Sequence, residues 1–308
     1  MRFSFIIIYF FSASLMADVM RVVVLGSGTP RPDINRFSQS ILVETGERKL
    51  LFDAGRGATI RLSQAGINIA DIDRVFLTHL HSDHILGLPD ILMTGWIYRR
   101  HSPLEIFGPI GTNKFIRNVK EAFDEDINIR TVPPESHKID GLNTKIYEIN
   151  EGLVFEDDVF RVIAFRVDHG GGVKDSFGYK IHYKDKVVII SGDTNYSENL
   201  IKYAKNCDLL IHEIADAPDS LISQNDKVRG LMNYHTTPSE MIKIIEKVMP
   251  KYTVLTHILA LGGTTPESIL EKINNSVEQD YKVEMAYDLM AIDVKDEIVT
   301  YKIDYTYD

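Results

Sequence analysis

Short apolar runs alternate with amphipathic segments along the chain from Arg21 onward. RVVVLG at 21–26, SILVE at 40–44 and KLLFDAG at 49–55 are rich in branched apolar residues and end near turns, a pattern that predicts β-strands. The same reasoning predicts further strands near 74–78, 104–108, 144–149, 159–167, 177–183, 186–191, 208–212, 252–256, 283–285, 289–294 and 298–304.

Segments with helical spacing lie between these strands, near 56–65, 84–96, 112–123, 196–205, 238–248 and 266–276. Two helix starts are well marked: Thr237 and Thr265 stand at the N-cap position, each followed by a proline at the first helical position. Because the strands cluster in both halves of the chain, we expect an α/β domain of two sheets packed together and covered by helices, not one doubly wound sheet.

The length and composition of the chain fit one domain over residues 18–308. With 34 basic and 44 acidic residues the formal net charge is -10, which disfavours non-specific binding to nucleic acid. Cys207 is the single cysteine, so neither an intrachain disulfide nor a cysteine metal cluster can form.

The first 17 residues resemble a short signal peptide, because Arg2 precedes an apolar run at 5–11 that is followed by small residues up to Ala17. They predict a periplasmic or secreted protein. The alternative is a cytoplasmic protein that starts at Met16 or Met20. A stable membrane anchor is not expected, because spanning a bilayer takes about 20 apolar residues.

Candidate metal ligands are concentrated in the segment THLHSDH at 78–84, directly after a predicted strand. Side chains of an extended segment alternate in direction, so His79 and His81 can face the same ion. Asp83 and His84 follow on the turn into a helix, where they can face a second ion nearby. Such a density of ligands is rarely structural, because crowded imidazoles without a metal would repel each other when protonated.

Three more candidate ligands follow apolar runs later in the chain: His169 in VDHGG, Asp193 in ISGDT and His257 in LTHI. A carboxylate can bridge two divalent ions and offset their charge, a role that suits Asp193. The pattern therefore predicts a site for two divalent metal ions, with zinc expected.

THLHSDH, the DAG at 53–55, His169, SGDT and His257 together resemble the metallo-β-lactamase superfamily. The resemblance implies a four-layer αββα sandwich with the metals at one edge of the two sheets. It also implies that Asp53 orients a ligand histidine. By the same resemblance, site one is His79, His81 and His169, site two is Asp83, His84 and His257, and Asp193 bridges them.

Within that superfamily the opening LGSGTPRP, the strand SFGYKI and the pairs His212-Glu213 and His235-Thr236 resemble the group of ribonuclease Z and certain zinc arylsulfatases. The resemblance implies that His235, supported by Glu213, assists the leaving group. Asp83 is a second candidate for moving a proton.

The main functional hypothesis from the sequence is a binuclear hydrolase that cleaves a small ester, either an aryl sulfate or a phosphodiester, with a metal-bridging hydroxide. The alternative is a ribonuclease Z-type endonuclease that processes the 3′ ends of transfer RNA precursors without a long arm. A lactonase or glyoxalase-like hydrolase is the minor alternative.

The preference for a small-molecule substrate depends on one spacing and on the charge. Bacterial ribonuclease Z enzymes commonly carry a long arm between the ligands that match His169 and Asp193, and here only 23 residues separate them. Nucleic acid is therefore expected to be an unlikely partner, and a homodimer is left open.

Overall fold

The computed structural model describes residues 19–46, 48–278 and 280–305. The predicted signal peptide at 1–17 lies outside these residues and stays a prediction. Within the described ranges, no helix has the length and apolar character needed to cross a bilayer.

The described residues form fifteen strands and ten α-helices. The strands are β1 Met20–Gly26, β2 Ser40–Thr45, β3 Arg48–Phe52, β4 Arg74–Phe76, β5 Leu104–Gly108, β6 Thr144–Glu148, β7 Gly152–Glu156, β8 Arg161–Val167, β9 Ser176–Tyr183, β10 Lys186–Ile190, β11 Leu209–Asp216, β12 Tyr252–Ala260, β13 Val283–Met285, β14 Met290–Val294 and β15 Val299–Lys302. The helices are α1 Ala58–Gln64, α2 Ser82–Ile85, α3 Leu88–Ile97, α4 Thr112–Ala122, α5 Asp124–Thr131, α6 Glu198–Ala204, α7 Asp219–Gln224, α8 Asp226–Met232, α9 Pro238–Val248 and α10 Pro266–Asn274.

The strands build two sheets that pack face to face. The first has the order β15-β14-β1-β2-β3-β4-β5-β6, and the second has the order β13-β12-β11-β10-β9-β8-β7. In β1, Val22 and Val24 belong to the apolar cluster that both sheets share, whereas Val23 and Leu25 belong to the cluster under the helices. This strand is apolar on both faces because each face is covered, as its unbroken apolar run indicates.

Helices cover the outer face of each sheet. Leu62 of α1, Trp96 of α3 and Ile116 of α4 pack on the first sheet. Met241 of α9 and Ile269 of α10 belong to the cluster on the second sheet. The layers are therefore helix, sheet, sheet and helix, and the αββα fold expected from the sequence is confirmed.

Several elements differ from the sequence prediction. The helix predicted at 84–96 is two helices, α2 and α3, because the chain passes so close to residues 54–55 that a Cβ at Gly87 would lie 2.2 Å from the carbonyl oxygen of Gly55. The elements α5, α7, α8 and β7 were not predicted. Helices α5 and α7 bury no residue, so no apolar periodicity marks them in the sequence.

The buried Asp288 carboxylate, near the end of β1, binds three segments that are distant from it in the sequence. The Asp288 carboxylate accepts hydrogen bonds from the backbone N–H of Ser27 at 2.9 Å and from that of Phe37 at 2.8 Å. It also forms an ion pair with Arg61 of α1, with an N–O distance of 3.0 Å. Both charged side chains are almost completely buried.

Replacing Asp288 by alanine should destabilise the protein strongly, because Arg61 would stay buried without its partner. We expect the free energy of unfolding to fall by about 3 kcal/mol or more, measured by urea denaturation. The control is Asp296→Ala, which removes an exposed carboxylate paired with Lys186 and should leave stability unchanged. Equal effects of the two substitutions would contradict this role of Asp288.

Candidate metal centre

The seven predicted ligands come together at one edge of the sandwich, most of them in segments that directly follow a strand. Residues 79–84 follow β4, His169 follows β8, Asp193 follows β10 and His257 lies in β12. Six of the seven are buried, and His81 is exposed. Strands from both sheets therefore contribute to one cluster.

His79, His81 and His169 form the first group of ligands, with candidate donor atoms that all lie within 4.8 Å of one another. His81 Nδ1 and His169 Nε2 are 3.1 Å apart. The Nδ1 of His169 donates to the carbonyl oxygen of Tyr234 at 3.2 Å. That bond leaves the Nε2 lone pair of His169 free to face a metal ion.

Asp83, His84 and His257 form the second group, again with donor atoms within 4.8 Å. The Nε2 of His257 lies 3.1 Å from Asp83 Oδ2, and the Nε2 of His84 lies 3.7 Å from the same oxygen. Imidazole nitrogen together with carboxylate oxygen is a ligand set typical of zinc.

Asp193 lies between the two groups. Its Oδ2 is 3.9 Å from His79 Nε2 and 3.7 Å from His169 Nε2, both of the first group. The same oxygen is 3.4 Å from His84 Nε2 and 3.3 Å from His257 Nε2, both of the second. One carboxylate oxygen that faces both groups is the arrangement expected of a bridging ligand.

The protonation states of Asp193 and His79 suit metal binding. Burial raises the pKa of Asp193, but the imidazoles of His257 and His84 outweigh it and hold that pKa well below its ordinary value. Burial, together with His84, lowers the pKa of His79, which favours the neutral imidazole that a ligand must be. In His84 burial lowers the pKa, but the Asp193 and Asp53 carboxylates outweigh it and raise that pKa, so metal binding there releases a proton. The Nε2 atoms of His79 and His84 are buried without a hydrogen-bond partner among the described residues. A divalent cation would satisfy both nitrogens, so the residues present fit a metal site.

Asp53 fixes the rings of two ligands from outside the cluster. Its Oδ2 accepts a hydrogen bond from His84 Nδ1 at 2.8 Å and another from the hydroxyl of Thr78 at 2.9 Å. The Thr78 hydroxyl in turn lies 3.0 Å from His79 Nδ1 and can accept its proton. Asp53 therefore sets both tautomers so that each Nε2 faces Asp193. The sequence prediction included Asp53 but missed Thr78.

Two residues of the site have backbone conformations that L-amino acids rarely adopt. Asp53 has φ 56° and His257 has φ 43°. His257 is the extra residue of an irregularity in the β11–β12 pairing, since Thr256 pairs with Glu213 and Ile258 with Ile214. Such a bulge re-aims a side chain, and here it directs His257 towards Asp83.

A second set of groups lies beside the ligands. The Oε1 of Glu213 accepts hydrogen bonds from His235 Nδ1 at 3.2 Å, from the backbone N–H of Thr236 at 3.0 Å and from that of Thr194 at 3.2 Å. Burial lowers the pKa of His235, but the Glu213 carboxylate outweighs it and raises that pKa to about 9. The His235 ring centroid is 5.1 Å from that of His169.

His212 has no hydrogen bond to the Glu213 carboxylate of the kind that His235 has. It is fully buried, and its Nδ1 donates to the carbonyl oxygen of Glu213 at 2.7 Å. Tyr234, which the sequence did not single out, packs its ring edge-to-face with that of His169 at a centroid distance of 5.4 Å. In the sequence, only the position of Tyr234 next to His235 could have indicated that Tyr234 belongs to the site.

Comparison with protein families identifies the class to which this fold and site belong. The model described as Beta-lactamase superfamily domain matches residues 48–258. The chain therefore belongs to the metallo-β-lactamase superfamily and has a metallo-hydrolase fold.

Comparisons with individual proteins define the branch. Ribonuclease Z of Mycobacterium sp. (strain KMS) is 32% identical over 250 residues, which cover 78% of this chain and 85% of that protein. The crystal structure of human tRNase Z, short form, matches with a TM-score of 0.64 and 25% identity over 90% of this chain and all of that one. The metallo-β-lactamase fold protein YhfI of Bacillus subtilis shares the fold, with a TM-score of 0.68 and 20% identity over 90% of this chain and all of that one. Within the superfamily the chain belongs to the ribonuclease Z-like branch.

These relatives correct the expectation about partners. We expected a small-molecule ester as substrate and nucleic acid as an unlikely partner, and proteins named ribonuclease Z and tRNase Z contradict both. The error was to use the net charge of -10, which averages over the whole surface, whereas contacts with phosphate are local. The names of these relatives give no support to an aryl sulfate as substrate.

Replacing Asp53 by asparagine should weaken metal binding without touching a ligand. Because the amide cannot accept all the hydrogen bonds that the carboxylate does, His84 loses its fixed tautomer, and we expect metal affinity to fall about 10- to 100-fold. Competition with a chromogenic chelator measures this. The control is Asp71→Asn, an exposed carboxylate 3.8 Å from Lys49. An unchanged affinity in Asp53→Asn would show that Asp53 does not orient the ligands.

Proposed function

We propose that this protein is a metal-dependent endonuclease of the ribonuclease Z type, which cleaves a phosphodiester bond of RNA in the processing of transfer RNA 3′ ends. The observation that carries the proposal is the His235–Glu213 pair beside the seven candidate ligands, since it adds a proton donor to a metal site. The similarity to ribonuclease Z over most of the chain supports it.

Two divalent ions, with zinc expected, would be held by His79, His81, Asp83, His84, His169, Asp193 and His257. When bound, they would activate water and neutralise charge on the phosphate. The chain itself must hold this ligand set in place, which is the contribution of Asp53 and of the bulge at His257.

His235 is suited to protonate the leaving oxygen. Burial lowers the pKa of His235, but the Glu213 carboxylate outweighs it and raises that pKa, which favours the protonated imidazole, and its Nδ1 is already bonded to Glu213. The Nε2 proton therefore remains for transfer to the substrate. Asp83, whose Oδ2 lies 3.1 Å from His257 Nε2, is the candidate for receiving a proton from the attacking water.

The RNA substrate and the predicted signal peptide conflict, because an exported enzyme would be separated from transfer RNA precursors. The proposed function therefore favours the alternative start at Met16 or Met20 and a cytoplasmic location. N-terminal sequencing of the mature protein tests this.

The direct test of the proposed function is cleavage of a transfer RNA precursor that carries a 3′ trailer. We expect one specific cut near the 3′ end, lost on chelation and restored by Zn²⁺, because every step depends on the bound ions. An unstructured RNA of equal length serves as the control for specificity. Hydrolysis of bis-p-nitrophenyl phosphate without any cleavage of the precursor would contradict RNA processing and leave only a phosphodiesterase.

Replacing His235 by alanine should lower turnover and leave metal content intact, because His235 lies beside the predicted ligand set. Loss of a general acid typically reduces kcat by about 10²- to 10⁴-fold, and single-turnover cleavage of the precursor measures it. Metal content is determined by elemental analysis in the same samples. His101→Ala, on an exposed loop, is the matched control. Full turnover in His235→Ala would exclude His235 as the acid.

A further inference from the structure

A groove of about 570 Å³ opens beside the first group of ligands. One wall is formed by Leu80, Pro109 and Ile110, and the other by residues 171–175. His81, the exposed ligand of the cluster, also lines it, so the groove is continuous with the metal centre. We refer to it as the His81 groove. Its volume lies within the range of about 300–1,000 Å³ that is typical of small-ligand sites.

The first wall of the His81 groove is apolar, with a buried Pro109, a half-buried Leu80 and an exposed Ile110. Ile110 is 69% exposed, although it is a large aliphatic residue. It lies in the turn between β5 and α4, and Leu80 lies in the ligand segment itself. An apolar surface beside the metal centre suits the face of a nucleobase, which packs against apolar as well as aromatic side chains when it leaves its stack.

The opposite wall carries a positive charge that no neighbour neutralises. Lys174 is exposed, and no carboxylate of the described ranges forms an ion pair with it. The adjacent acid, Asp175, is already paired with Arg166. Gly171 and Gly172 precede Lys174 with φ 56° and 88° and place no side chain in the groove. An ammonium group at the rim of the groove, without an ion-pair partner among the described residues, suits a phosphate.

We propose that the His81 groove binds the nucleotide next to the scissile phosphate, with the base against Leu80 and Ile110 and the neighbouring backbone phosphate at Lys174. This inference rests on the proposed function, because it needs an RNA substrate. The short segment after His169 thereby supplies a local RNA contact, whereas the long arm of bacterial ribonuclease Z enzymes is expected to bind at a distance.

Lys174→Ala tests the phosphate contact. We expect kcat/KM on the transfer RNA precursor to fall about fivefold, and the slope of log(kcat/KM) against log[salt] to become shallower by about 0.7 to 0.9, as for the loss of one phosphate contact. Hydrolysis of bis-p-nitrophenyl phosphate, which lacks a neighbouring phosphate, should be unchanged. The matched control is Lys282→Ala, an exposed lysine just before β13.

Ile110→Ser tests the base contact through a double-mutant cycle with the substrate. Wild type and variant are compared on the intact precursor and on precursors with an abasic nucleotide on either side of the cleaved bond. On the intact RNA, kcat/KM of the variant should be about fivefold below that of wild type. On the substrate that lacks the base bound in the groove, the two proteins should have equal kcat/KM, because Ile110 then has no base to contact.

The outcomes separate the groove from the proposed function. If wild type cleaves the precursor but both variants retain its rate and its salt slope, the His81 groove does not bind the nucleotide and the endonuclease assignment stands. If wild type cleaves no RNA, the proposed function fails first, and the groove assignment fails with it.

Discussion

The site depends on one buried negative charge among imidazoles. The Asp193 carboxylate lies within 3.3 to 3.9 Å of ring nitrogens from four histidines, which approach it from both sheets. A lone carboxylate in such a place is costly to bury, and a set of neutral imidazoles leaves its own nitrogens unsatisfied. Divalent cations resolve both problems at once. The Asp193 carboxylate therefore links metal binding at the edge of the sandwich to the packing of the two sheets.

The fold could be predicted in its layers but not in all its elements. Most strands could be predicted because runs such as 21–26 are apolar on both faces. The helix starts predicted at Thr237 and Thr265 are the N-caps of α9 and α10. Helices that bury nothing, such as α5, leave no periodic signal. The break between α2 and α3 depends on contact with a segment about 30 residues away in the chain, which sequence periodicity does not record.

The candidate ligands could be predicted from the sequence for a different reason. Ligands that follow strands ending at one edge of the sandwich converge whatever their distance in sequence, so His79, His169 and Asp193 could be proposed as ligands from their positions. Their assignment to two metal groups came from the family resemblance. The roles of the Thr78 hydroxyl and the Tyr234 carbonyl could not be predicted from the sequence, because their hydrogen bonds to ligand histidines depend on the fold and on no sequence motif. The expectation of a small-molecule substrate was wrong because it used the net charge, which averages over the surface and does not describe local positive groups.

The bulge at His257 makes the alignment of two strands a determinant of the metal centre. Side chains alternate along a strand, so a slip of β12 by one residue that removed the bulge would exchange the direction of His257 with that of its apolar neighbour Ile258. The cluster would then receive an aliphatic group in place of an imidazole. The pairing of Ile214–Asp216 with Ile258–Ala260 opposes that slip. Hydrogen bonds of a sheet, several residues from any reacting atom, thus decide whether the ligand set is complete.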